Sequence, residues 1–330
     1  MYENPIKEYH FSGSLSKFCD GFVAEKRALG YSYNREARQL SEFSRFTESF
    51  SFPENVLTQE VVESWISRRP NDSDRNYYAR YALIKLFAEY MIRAGYSAYC
   101  PDRTDIAKIQ WAYTPHIFTH DEISRFFVAV DALKKKTHSM SPRRHLMMPI
   151  IFRLLYCCGL RVSEVLGLTK NDVDLENGIL IIRQSKFDKT RYIPMSDELT
   201  KTLISYSTNT LRDEDMFLFP SPRGGHYDTR VIYSVFRDII WDIGISHQGR
   251  GKGPRVHDFR HTFAVHCLEK WSHKGTPLSS ALPRLSTYLG HNNLAATERY
   301  LRMTAEVYPE ISELLSEKYG YIVPKVGDAI

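Results

Sequence analysis

From Ser14 the apolar residues Leu15, Phe18, Cys19, Phe22 and Leu29 recur at helical spacing, and Gly30 is placed to stop the run. A second helix is predicted over roughly 34–48, with Ala37, Leu40, Phe43 and Phe46 on one side. Thr58 can cap a third, which holds Val61, Val62, Trp65 and Ile66. The fourth and longest spans about 73–94, with Leu83, Leu86, Phe87, Tyr90 and Met91 inward and Gly95 at its end. These helices make a compact unit of local contacts, residues 12–98, behind a loose arm at 1–11. Residues 99–118 contain Pro101 and Pro115 without a strong period and read as a linker.

A second domain, 119–303, opens on Thr119-His120-Asp121-Glu122, a capping-box pattern ahead of Ile123, Phe126 and Phe127. A long apolar helix over about 146–157 ends at Gly159, and residues 160–168 begin a short one. Residues 178–194 read as a hairpin, with strands 179–182 and 190–193 around the polar tip Ser185-Lys186-Phe187-Asp188-Lys189. A loop at 220–225 precedes a buried helix marked by Ile232, Val235, Phe236, Ile239, Ile240 and Ile243. After a glycine-and-lysine loop at 249–253, His257-Asp258-Phe259-Arg260-His261-Thr262-Phe263-Ala264 opens another helix. Gly290 suits the left-handed position that closes a helix, and Asn292 and Asn293 can cap the next. His291 then falls at a helix–helix corner, and Tyr300 near the end of a short second helix. A tail, 304–330, carries Val307, Ile311, Leu314 and Leu315 at helical spacing.

At 330 residues the chain is long enough for two cores. No run of eighteen apolar residues is present and the N-terminus lacks a signal pattern, so a cytoplasmic protein with no membrane partner is expected. A net charge of +5 leans toward a polyanionic partner. The N-terminal helices carry much of it: Lys17, Lys26, Arg27, Arg35, Arg38, Arg45, Arg68, Arg69, Arg75, Arg80, Lys85 and Arg93 suit either a solvated face or phosphate contact along a duplex. Cys19, Cys100, Cys157, Cys158 and Cys267 make no metal spacing and no disulfide framework, as in a reducing compartment.

Three residues apart on a helix, His257 and Arg260 share a face and can grip one phosphate. Arg161, held at a helix start by the Gly-Leu corner before it, can supply a second guanidinium as charge builds on a phosphorane. Tyr300 can act as a nucleophile, with His257 helping to take its proton. Lys186 at the hairpin tip can protonate a departing 5′ oxygen, with Lys189 as its rival, and His291 can hydrogen-bond a phosphate oxygen. Each has an ordinary structural reading alone: Arg161 as a partner of Glu164, His257 and Arg260 as a helix-surface pair, Lys186 as a solubility lysine, Tyr300 as one of 21 tyrosines that mostly pack. Tyr288 is a decoy nucleophile, set in a helix whose apolar side it helps bury.

What lifts these residues is their order: Gly-Leu-Arg-x-Ser-Glu, a hairpin lysine, His-x-x-Arg-His-Thr-Phe-Ala, then Leu-Gly-His with tyrosine nine residues on. That set resembles the tyrosine recombinase, or phage integrase, family, and the stretches at 183–187 and 282–291 look most like its mobile-element, transposase-type branch. The resemblance implies a mainly α, two-domain chain: a helical SAM-like core-binding domain and a mixed α/β catalytic domain with a small β-hairpin sheet. It places Arg161, Lys186, His257, Arg260, His291 and Tyr300 on the family's catalytic positions. It implies DNA breakage and rejoining through a 3′-phosphotyrosyl intermediate, with no cofactor and no metal. Its expected partners are double-stranded DNA with inverted-repeat sites, further copies of itself in a DNA-bound tetramer joined by exchange of the tail, and accessory DNA-bending or sister recombinase proteins. Two departures stand out: the hairpin tip lacks the family's usual Gly-Lys-Gly, and residues 269–281 are longer than in many relatives. A type IB topoisomerase-like relaxing enzyme would share this chemistry without needing a partner protomer. A DNA-binding protein that has lost the chemistry would not keep all six candidate residues. A metal nuclease lacks support, because no carboxylate cluster has metal-ligand spacing and Asp172 and Asp174 read as loop and turn residues.

Overall fold

The computed structural model describes residues 6–70, 72–102, 114–135, 141–183, 190–249, 253–290, 297, 299–301, 303 and 304. Lys186, Lys189, His291, the corner after Gly290 and the tail beyond residue 304 lie outside the described residues. The chain divides into two compact units, Met1–Ala112 and Tyr113–Ile330.

The first unit is built from α1 (Ser16–Ala28), α2 (Asn34–Thr47), α3 (Gln59–Ile66) and α4 (Asp74–Arg93). Their apolar stripes meet in a core of Phe22, Phe43, Val62, Trp65, Ile84 and Phe87. The Ser73 hydroxyl caps α4 by accepting from the Asn76 amide, whereas Thr58 occupies the cap position of α3 without a side-chain capping bond. Two expected core residues are outside. Leu29 is exposed because α1 ends at Ala28, so Leu29 leaves the helical cylinder before its face returns. Leu86 is exposed because the buried stripe of α4 runs through Ile84, Phe87, Ala88 and Met91, centred about 150° away from it. Arg80 also departs from the solvated basic face. It is buried, with both terminal nitrogens on the Asp72 carboxylate and Nη2 also on the Ser67 carbonyl. The burial makes it a structural cation of this unit.

The second unit contains α5 (His120–Asp131), α6 (Arg144–Cys157), α7 (Val162–Gly167), α8 (Asp197–Thr210), α9 (Thr229–Asp242), α10 (Asp258–His273) and α11 (Leu278–Leu289). The capping box at Thr119 is formed in both directions, Thr119 to the Glu122 amide and Glu122 back to the Thr119 amide. An aromatic core joins Phe118, Phe126, Phe152, Phe236 and Phe259, with Phe118 stacked on Phe259 at 5.1 Å. Packing of this unit thus begins by Pro115 and Ile117, inside the stretch read as linker.

The hairpin pairs β2 (Ile179–Arg183) with β3 (Thr190–Pro194) antiparallel, with Leu180 opposite Ile193 and Ile182 opposite Arg191. A short strand, β1 (Val173–Asp174), extends it to three strands in the order β1-β2-β3. Asp174 is therefore a strand residue, although its carboxylate also accepts from the Glu176 and Asn177 amides of the following turn. Asp172 lies in a single 3-10 turn and is buried against Thr169 and Arg183. All five cysteines are free thiols. Among the described residues no helix is long and apolar enough to cross a membrane.

Candidate active site

Four expected site residues are described, and the second unit brings them to one place. Arg260 is the hub. It lies in the first turn of α10, is 1% exposed, and donates from Nη1 to the Gly159 carbonyl at 2.8 Å and from Nη2 to the Leu289 carbonyl. One buried guanidinium therefore ties the corner between α6 and α7 to the last residue of α11. Gly159 is required there twice over. Its φ is +57°, and a Cβ would lie 2.4 Å from the Phe263 ring. Gly290 closes α11 in the left-handed conformation, as its type predicts.

Two residues beyond Gly159, Arg161 starts α7. Its backbone amide donates to Glu164 Oε2 at 2.8 Å and its Nη1 to Glu164 Oε1 at 2.7 Å. The salt-bridge reading of Arg161 is correct, yet 37% of its side chain stays accessible. Glu164 also accepts from Arg191 Nη2 at 2.8 Å. Burial alone would raise its carboxyl; the Arg191 hydrogen bond and charge, supported by Arg161, reverse that and hold it below its ordinary value.

Tyr300 sits on a helical stretch, its ring packed among Ala264, Leu268, Leu285 and Leu289. Burial raises its hydroxyl pKa, and the charge and hydrogen bond of Arg260 oppose the rise, with smaller help from Arg299 and Arg161. The candidate nucleophile is thus sheltered in the apolar cluster with its oxygen at the guanidinium. The His261 ring lies between the two other aromatic members, 4.9 Å from His257 and 5.6 Å from Tyr300.

His257 is the residue just before α10. Crowding by protein, then the positive charges of Arg260 and Arg161, pull its imidazole down to about 4 against Glu164. The residue is nonetheless exposed, so the downward direction rests more on the two neighbouring cations than on burial. At neutral pH the ring is uncharged and can accept a proton. Arg260 is itself lowered to about 10, by burial first and by Arg161 next, and remains a cation.

Three contributors had no role in the sequence reading: Glu164 beyond its pairing, His261 and Arg191. Arg191 leaves Nε and Nη1 buried without a hydrogen-bond partner, with 11% of its side chain exposed. A legible signal existed, since Arg191 alternates with the core residue Ile193 while Tyr192 between them is exposed. Tyr288 is partly buried against Phe263, their rings stacked at 5.5 Å, and burial pushes its hydroxyl far up, as befits a packing tyrosine.

Among the described residues, the guanidiniums of Arg161 and Arg260, the His257 imidazole and the Tyr300 hydroxyl are thus gathered in one place. The phage integrase family matches residues 116–306, more than half of the chain, and the protein belongs to that family. It is a recombinase that breaks and rejoins DNA, which sets aside the topoisomerase-like alternative. Over 303 residues it is 27% identical to a Sinorhizobium fredii protein, y4rB, whose integrase/recombinase name is provisional; the match covers 90% of this chain and 96% of that one. It is 25% identical to tyrosine recombinase XerC of Actinobacillus succinogenes, covering 88% of this chain and 92% of that one. The fold is similar to that of the Tn1549 transposon integrase solved with a circular intermediate DNA, at TM-score 0.59 and 19% identity, over 86% of this chain and 94% of that one.

Proposed function

We propose that the chain is a site-specific recombinase of a mobile element, with Tyr300 as nucleophile and Arg161, Arg260 and His257 as its activating and phosphate-holding groups. The carrying observation is the Arg260 bridge, which draws α10, the Gly159 corner and the end of α11 together beside Tyr300. In the first step the Tyr300 oxygen attacks the scissile phosphorus and its proton passes to neutral His257. A phosphotyrosyl bond to the 3′ side forms as the bond from phosphorus to the 5′ oxygen breaks. Lys186 or Lys189 protonates the departing 5′ oxygen, and His291 hydrogen-bonds a phosphate oxygen. The reverse reaction with a 5′ hydroxyl from another strand rejoins the DNA. Neither a metal nor a cofactor enters these steps.

The basic helices of residues 12–98 form the second DNA-contacting domain, joined to the catalytic domain, 119–303, by the linker. The substrate is duplex DNA carrying inverted repeats, bound by a tetramer whose protomers exchange the 304–330 tail, with accessory DNA-bending or sister recombinase proteins where the element requires them. The reaction takes place in the cytoplasm. The mobile-element assignment is supported by the look of residues 183–187 and 282–291 and by the likeness in fold to a transposon integrase. Incubation with nicked fragments of the source genome, denaturation and sequencing of attached DNA tests the reading. Adducts at a few discrete inverted-repeat sites are expected. Adducts scattered without site preference would overturn site specificity.

A further inference from the structure

On α10, six residues beyond Arg260 and about a third of a turn round from it, a second constellation faces a cleft of about 550 Å³. His266 and Glu269 are three apart and share a helical face. His120, the first residue of α5, meets them from the neighbouring helix. Its Nε2 lies 3.1 Å from Glu269 Oε2, and its ring stacks on that of His266 at 4.1 Å. One donor atom from each of His120, His266 and Glu269 falls within 4.8 Å of the others. We propose that these three side chains bind a zinc-class divalent metal ion, at a site separate from the DNA-cleaving residues.

His266 carries the inference. It is 9% exposed, and its Nε2 is buried with no hydrogen-bond partner. A buried polar atom left unmatched calls for a physical reason. Its Nδ1 is held by the Tyr156 hydroxyl at 2.9 Å. Metal-bound histidines are commonly anchored in this way through the second ring nitrogen, which fixes the tautomer and frees the other lone pair.

Two imidazoles and a carboxylate suit zinc, with solvent as the fourth ligand. Tetrahedral zinc needs donors about 3.4 Å apart. The His120–Glu269 pair already meets that spacing. Closure on one ion requires His120, whose side chain is 64% exposed, to turn out of its stack on His266 while staying within reach of Glu269. Cys157 and Cys267 line the same cleft, but burial raises both thiols, Cys267 to about 12, and neither sulfur is among the converging donors. A bound ion would pin the start of α5 to the middle of α10, the helix whose first turn holds the cleavage residues.

The test uses the full chain, stripped with a chelator, without DNA. Zinc is titrated in competition with a chromogenic chelator, and cobalt is added as a coloured stand-in. The wild type should take up one equivalent more than His120→Ala or Glu269→Gln, or bind it at least about tenfold more tightly. Zinc should raise its melting temperature, and the rise should vanish in both variants. His120 is exposed, so His120→Ala keeps the fold. Equal stoichiometry, affinity and cobalt spectra in wild type and both variants would overturn the site and assign any uptake to the other histidines and cysteines.

Discussion

Arg260 is both buried and charged, a combination that is costly unless its donors find acceptors. Two backbone carbonyls and the Tyr300 hydroxyl meet that need, so the residue ties the fold to the proposed nucleophile. Arg161, a third exposed, has no comparable structural burden. The two arginines should therefore separate in experiment. Either alanine variant should lose at least ~10²-fold in cleavage rate, the scale for deleting a charge-stabilising donor. Only Arg260→Ala should also lower the melting temperature markedly, and a stable, active Arg260→Ala would contradict the hub role. His257 makes a pH prediction. As the proposed proton acceptor it must be neutral, and its pKa is depressed from 6.5 to about 4. The acid limb of the cleavage profile should lie well below pH 6.5. The stability linked to this group is full above pH 6.5 and is lost as the pH falls toward 4, because the unfolded chain protonates first. A limb at 6.5 or higher would show that the two cations do not act on it.

Among the elements, α10 organises the site, because His257 stands at its cap, Arg260 lies in its first turn and its body packs on α6 and α11. The corner at Gly159 is its counterpart. Gly159→Ala forces a side chain into the left-handed region and against Phe263, at a cost of at least ~1 kcal/mol from the backbone alone. Thermal melts should show the loss, and cleavage should fall with it because the carbonyl that holds Arg260 is displaced. The sheet makes a related prediction. Glu164 and Arg191 form a mostly buried pair, so Glu164→Gln should cost about 3–5 kcal/mol. An unchanged denaturation midpoint would argue against that pairing. The long helices and the hairpin were legible because their periods are strong. The strand β1, only two residues long, left no period to read, and the inward Arg191 was read as an ordinary strand residue. Leu29 and Leu86 have the right residue type, but a helix end and a rotated stripe put them outside.

The whole molecule comprises two units with separate cores, and the family motifs fall almost wholly in the second. Those motifs were readable because four short segments keep a fixed order of reactive residues. Their convergence was not readable, since it depends on carbonyls of Gly159 and Leu289 that no side-chain pattern announces. Nor was the structural role of Arg80 separable by sequence from the basic face around it. Contact with a duplex through that face predicts a steep linear fall of log affinity with log salt. A flat response would contradict phosphate-led binding.

The central claim is that Tyr300 forms the covalent bond to DNA. The most direct measurement is to trap the protein on nicked substrate, digest both polymers, and locate the nucleotide-bearing peptide by mass spectrometry, with Tyr300→Phe alongside. The account predicts a phosphate ester on Tyr300 in the wild type, and a Phe variant that binds DNA but forms no adduct. A modified peptide carrying Tyr288 or any other residue, or an adduct that persists in Tyr300→Phe, would contradict it.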